Sequence, residues 1–229
     1  MKIRKQSAFT LIELLVVISI IAIIAALAMP AFTSIMLKSR MSDQMNNGRQ
    51  IYLAMRSYSS ETSHGGVFPA YTDPDDPNTL AKDTNEAFEI LMKRHLDDKK
   101  VFANKQSEWC KGATVKSEAN AKKVLPKECD WCYVRGLKES ANSQWPILAN
   151  AFKARGQYVY VKDPGQKGGV WKGGNAVVIW AGGSAEVVET KEKGEEYFVK
   201  RSDKPTANAF EKDDDWLSGE DTEVLFPKE

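Results

Sequence analysis

Residues 14–37 run for 24 positions without a charged side chain, and the first sixteen are apolar except Ser19. No other feature of the 229-residue chain restricts its fold as strongly. About 20 helical residues, at ~1.5 Å each, cross the hydrocarbon core of a bilayer. The run is therefore long enough to span, and longer than the roughly 7–15 apolar residues of a cleaved secretory signal. Lys2, Arg4 and Lys5 precede it; such a cluster keeps the N-terminus cytoplasmic and sends the rest outward. Glu13 stands at the head of the run. A carboxylate in hydrocarbon is costly unless it is paired or neutralised. Glu13 is thus either solvated at headgroup level or matched to a positive partner.

Pro30 closes the densest apolar stretch. Inside a helix a proline removes one hydrogen bond and kinks the axis. Beyond it the pattern becomes amphipathic: Met41, Met45, Tyr52 and Met55 form one helical stripe, widened by Ile51 and Tyr58, with Gly48 on the same face and suited to close packing. Gly65-Gly66 is expected to stop the helix. A helix over residues 9 to about 60 would be roughly 75 Å long. No compact domain buries that length, so its first half must be covered by lipid or by neighbouring copies, and its second half by its own head.

Where the basic cluster meets the apolar run stands Ser7-Ala8-Phe9-Thr10-Leu11-Ile12-Glu13-Leu14-Leu15-Val16-Val17-Ile18. This block resembles the N-terminal signature of type IV pilins and of the pseudopilins of type II secretion: a short basic leader, a small residue before a cleavage point, Phe-Thr-Leu-Ile-Glu, and about twenty apolar residues. The resemblance implies cleavage between Ala8 and Phe9 by a prepilin peptidase, which also N-methylates Phe9. It gives Glu13 an assembly role. The new Phe9 amine of one subunit can sit beside Glu13 of the next, each charge removing the other's desolvation penalty. The family commonly has a proline near position 30. The implied fold is α+β, a pilin-like lollipop whose long N-terminal helix packs on a small antiparallel sheet. Its segments would be a leader at 1–8, a transmembrane and assembly half at 9–37, an amphipathic half at 38–64, and a head at 65–229. The implied partners are further copies in a helical filament, other pilin-like subunits, the peptidase-methyltransferase and the inner membrane. The head would be periplasmic, or on the cell surface after assembly. A rival reading takes Ala26-Leu27-Ala28 as an ordinary secretory cleavage site. It leaves Glu13 stranded inside an unusually long apolar run.

In the head, Asp73-Pro74-Asp75-Asp76-Pro77 reads as a turn. Asp83 with Glu86 is a helix-start pair, followed by Ala87, Phe88, Ile90 and Leu91. This order is loosely similar to the major pseudopilin. The C-terminal third reads as antiparallel sheet: strands over 157–162, 175–181 and 184–190, the last two joined by Gly182-Gly183 with positive φ expected at both, and an edge strand at Tyr197-Phe198-Val199. Residues 99–145 give no clear periodicity. They hold Cys110, Cys129 and Cys132. Export would permit a disulfide from Cys110 to Cys129 or Cys132, closing a loop of about twenty residues worth ~3 kcal/mol. The other readings are a Cys-x-x-Cys redox pair at Cys129 and Cys132, or a zinc site, for which His64 and His95 lack ligand spacing.

Residues 211–223 carry seven acids against Lys212. Pseudopilins often bind calcium in a C-terminal loop, so Asp213, Asp214 and Asp215 are candidate ligands by resemblance. The spacing matches no EF-hand, and a solvated tail is the plainer reading. No cofactor is expected. Lysines and arginines number 32 against 31 acids, a net charge of +1 that gives no nucleic-acid signal. The chain has no phosphate-loop, nucleophile-elbow or His-Glu-x-x-His motif, and only two histidines. It reads as a structural subunit and not an enzyme. The alternative is a membrane-anchored envelope binding module, in which the six tryptophans of the head take up a glycan or protein.

Overall fold

The structure, a computed structural model, describes residues 9–72, 76, 79–113, 115, 122–219 and 221–229. The expected leader, Ala8 and most of the turn at 73–77 lie outside them. The chain divides into two compact units, Met1–Arg40 and Met41–Glu229.

The long helix α1 is Leu11–Ser59. The first unit holds its apolar portion, with Leu11, Leu27 and Phe32 at 88%, 75% and 63% exposure. The three hydroxyls of the uncharged run all turn back on the helix: Ser19 Oγ donates to Leu15 O, Thr33 Oγ1 to Pro30 O and Ser34 Oγ to Ala31 O, at 2.7–2.9 Å. Their polarity is thus satisfied without solvent, the condition for residence in lipid. Pro30 lies inside α1, which continues across it.

In the second unit, Met41, Gly48, Ile51, Tyr52, Met55 and Tyr58 of α1 are buried, the expected stripe except for Met45, which is only half-buried. The helix ends at Ser59, six residues short of Gly65, and a 3-10 turn at Thr62–His64 bridges to it. Helix α2, Thr84–Arg94, begins as its cap predicts: Glu86 N donates to Asp83 Oδ1 at 2.9 Å, and Lys82 N to Glu86 Oε2 at 2.9 Å.

Among the described residues eight strands follow: β1 Trp131–Arg135, β2 Pro146–Asn150, β3 Tyr160–Val161, β4 Asn175–Trp180, β5 Ala185–Glu189, β6 Lys191–Lys193, β7 Glu196–Phe198 and β8 Glu223–Leu225. The main sheet is antiparallel in the order β5-β4-β2-β1-β8. Tyr133, Leu148, Ile179 and Ala185 align across it on one face. That face meets the helices. Phe88 of α2 lies 5.7 Å from Tyr133 between ring centroids, and α1 presses so close that a Cβ on Gly48 would stand 2.7 Å from Ile179 and 2.8 Å from Trp131. On the opposite face Cys132, Val134, Ile147, Ala149, Ala176 and Val178 are also fully buried. The sheet is thus a central layer, covered on both faces.

Three expectations are corrected. The strand predicted over 157–162 shortens to the two-residue β3. The segment at 197–199 is not an edge of the main sheet but contributes to β7, the centre of a separate sheet β3-β7-β6. At the β4–β5 hairpin only Gly183 has positive φ (+89°), and its closeness to Tyr52 of α1 excludes a Cβ there as well; Gly182 instead makes room for Ser143.

Candidate assembly site at the N-terminal helix

Thr10 and Glu13 build the first turn of α1 between them. Thr10 N and Thr10 Oγ1 both donate to Glu13 Oε2, at 2.9 and 2.8 Å, and Glu13 N donates to Thr10 Oγ1 at 3.3 Å. This is a reciprocal capping box, which satisfies two of the amide groups that a helix start leaves without partners. Glu13 also places negative charge at the positive end of the helix dipole. Its two oxygens are unequally used: Oε2 takes both bonds from Thr10, while Oε1 accepts none from the described residues. Phe9, beside them, is 74% exposed. The capping role of Thr10 went unread in the sequence, although Thr-x-x-Glu before an apolar run is its signature.

The remaining candidate residues are structural. Cys110, Cys129 and Cys132 do not form the disulfide that export would permit; all are free and buried. Burial pushes the Cys110 thiol up to about 12 and raises Cys129 and Cys132 as well. Thiols so held are poor nucleophiles, which corrects the redox reading. They pack as small apolar groups around Asp130, which is 0% exposed and accepts from Ser107 Oγ and from Asn150 Nδ2 at 3.3 Å. With no cation among these contacts, burial raises the Asp130 carboxyl to about 7 against the pull of these hydrogen bonds.

Four tryptophans are core residues with satisfied indole N–H groups: Trp109 donates to Phe152 O, Trp131 to Val101 O, Trp171 to Asn150 Oδ1 and Trp216 to Ala209 O, at 2.7–3.1 Å. They are not available as a glycan platform. In the acidic C-terminal segment, Asp213 Oδ2 accepts from Arg201 Nη1 at 2.9 Å. Arg201 also bonds Asp203 through Nε and Nη2, at 3.0 and 2.7 Å, and lies 4.4 Å over the ring of Trp216. Its side chain is 4% exposed. The guanidinium thus occupies the position among these acids that a cation would take. Asp214 and Asp215 are exposed, and Glu220 lies outside the described residues. Among the described residues no group of three histidines, cysteines or carboxylates is placed to hold a metal.

Comparison with known proteins places the similarity where this site lies. The Prokaryotic N-terminal methylation motif matches residues 3–29. The chain is 40% identical over 57 residues to the type IV major pilin protein PilA of Myxococcus xanthus (strain DK1622), covering 25% of this chain and 26% of that one. It is 43% identical over 65 residues to the fimbrial protein EcpC of Eikenella corrodens, covering 28% of this chain and 40% of that one. The chain therefore spans well under half the length of these curated relatives in the matched region. No solved structure gives a significant match. The N-terminal segment is type IV pilin-like, and the described residues, with one helix long and apolar enough to cross a membrane and an antiparallel sheet, have an α+β pilin-like architecture.

Proposed function

We propose that this chain is a structural subunit of a type IV pilus or type II secretion pseudopilus. It is held in the inner membrane by α1 with its head in the periplasm, cut between Ala8 and Phe9, methylated on Phe9, and polymerised through the helix. One observation carries the reading: the methylation motif at residues 3–29 takes in the start of α1, whose apolar side chains are exposed from Leu11 to Met36. Such a surface is stable only in lipid or against copies of itself. Before assembly, Glu13 is spent on its own Thr10 through Oε2. The unused Oε1 is the place for the Phe9 amine of the next subunit, and the paired charges then fix the axial stagger. Pro30 removes one rung from the helix ladder within that exposed segment. The similarity to a major pilin and a fimbrial protein favours the pilus over the pseudopilus.

Coexpression with a prepilin peptidase, followed by peptide sequencing of the mature protein, tests this. The expected N-terminus is an N-methylated Phe9. A start at Met29 would make residues 1–28 a secretory signal and abolish the filament.

A further inference from the structure

Single exposed apolar residues are ordinary on a protein surface. Two in the Met41–Glu229 unit have unusual surroundings. Leu53, on α1, is 62% exposed on the side away from Gly48 and the sheet. Arg49 lies one helical turn before it, exposed and without an ion-pair or hydrogen-bond partner among the described residues; Arg56, one turn after, is engaged with Glu139 at 3.6 Å. Val187, on β5, is 41% exposed. β5 is an edge of the main sheet, with one ladder of backbone groups unpaired. Glu186 and Glu189 flank Val187, both exposed and neither in an ion pair among the described residues; Glu189 shares its face of the strand. One patch is thus a leucine beside a free cation, and the other a valine between two free carboxylates.

We propose that the Arg49–Leu53 face of α1 docks onto the β5 edge of a second copy, around Glu186, Val187 and Glu189. The two surfaces are unlike and sit on different elements. A contact joining them is therefore heterologous, leaving each pair of copies with one free patch of each kind, so it propagates instead of closing into a dimer. Both patches are small against the roughly 800 Å² per partner of a stable interface. The contact acts with the helix-mediated polymerisation of the preceding section, on which it rests, setting register and rotation between neighbouring heads. The charge pairing supplies specificity more than affinity.

The test uses full-length protein assembled in cells with its peptidase. In filaments of the L53C/V187C chain, a bifunctional maleimide is expected to join successive copies into a ladder, with neither single cysteine variant giving more than background. The native thiols, 5% exposed or less, stay silent. R49E and E189R are each expected to lower filament yield several-fold, and the R49E/E189R double exchange to restore it. Filaments that form at wild-type yield in both single reversals, without the ladder, overturn the contact and leave the filament reading intact. A wild-type chain that is correctly processed yet forms no filament overturns both.

Discussion

At the scale of single residues, Gly48 gives the sharpest prediction, because two effects oppose each other there. Alanine is a better helix former than glycine by about 1 kcal/mol. Here its methyl would stand 2.7–2.9 Å from Ile179 and Trp131, both fully buried and unable to give way cheaply. Overpacking of that kind costs about 1–3 kcal/mol. Gly48→Ala is therefore expected to destabilise the Met41–Glu229 unit, seen as a lower urea midpoint in tryptophan fluorescence of the detergent-solubilised protein; all six tryptophans lie in that unit. An unchanged or raised midpoint would show that the sheet yields to the helix. Asp130 predicts a pH effect of defined sign. Its folded carboxyl titrates near 7, above its ordinary 3.8. Between those values the unfolded chain releases a proton that the folded chain keeps, so stability falls as pH rises, by up to about 1.4 kcal/mol per pH unit from this group, and levels off above it. Asp130→Asn is expected to remove that slope whatever it does to the absolute midpoint; a slope retained in full would assign it to other groups. Residues of this kind explain the limits of the sequence. Glu13 stood out because a charge at the edge of an apolar run is anomalous. Asp130 did not, because only the fold reveals that it is buried beside no cation.

At the scale of elements, the legible parts were those marked by an amphipathic face, a helix cap or a hairpin turn. The amphipathic half of α1, the capped α2 and the β4–β5 hairpin each carry a periodic pattern or a defined start or turn. Strands β1 and β2 do not. Trp131–Arg135 and Pro146–Asn150 are buried at every position because both faces of the sheet are covered, which removes the alternation by which a strand is read. The acidic C-terminal segment was legible in part: its described acids are exposed. Its composition suggests solvation or calcium, yet its closure depends on Arg201, ten residues before Glu211. Arg201→Leu is expected to open the segment around Asp203, Asp213 and Trp216, so that limited proteolysis cuts there faster. Calcium chelation is expected to leave the wild-type cleavage rate unchanged. Protection that vanishes on chelation would mean that a metal, and not the guanidinium, does the holding.

At the scale of the whole molecule, the described residues of the two units have opposite characters: those of the first expose almost every apolar side chain, and those of the second bury most of theirs. The exposed first unit calls for lipid or copies of itself around it, and in the function proposed above the acid at the head of that unit is the point of specificity between copies. The measurement that tests this most directly is the yield of sedimentable filaments from cells expressing wild type, Thr10→Val and Glu13→Ala at equal membrane levels. Thr10→Val, which loses a helix cap worth about 1 kcal/mol, is expected to insert and still assemble at reduced yield. Glu13→Ala is expected to insert normally and yield no filament. Wild-type filaments from Glu13→Ala would contradict the account.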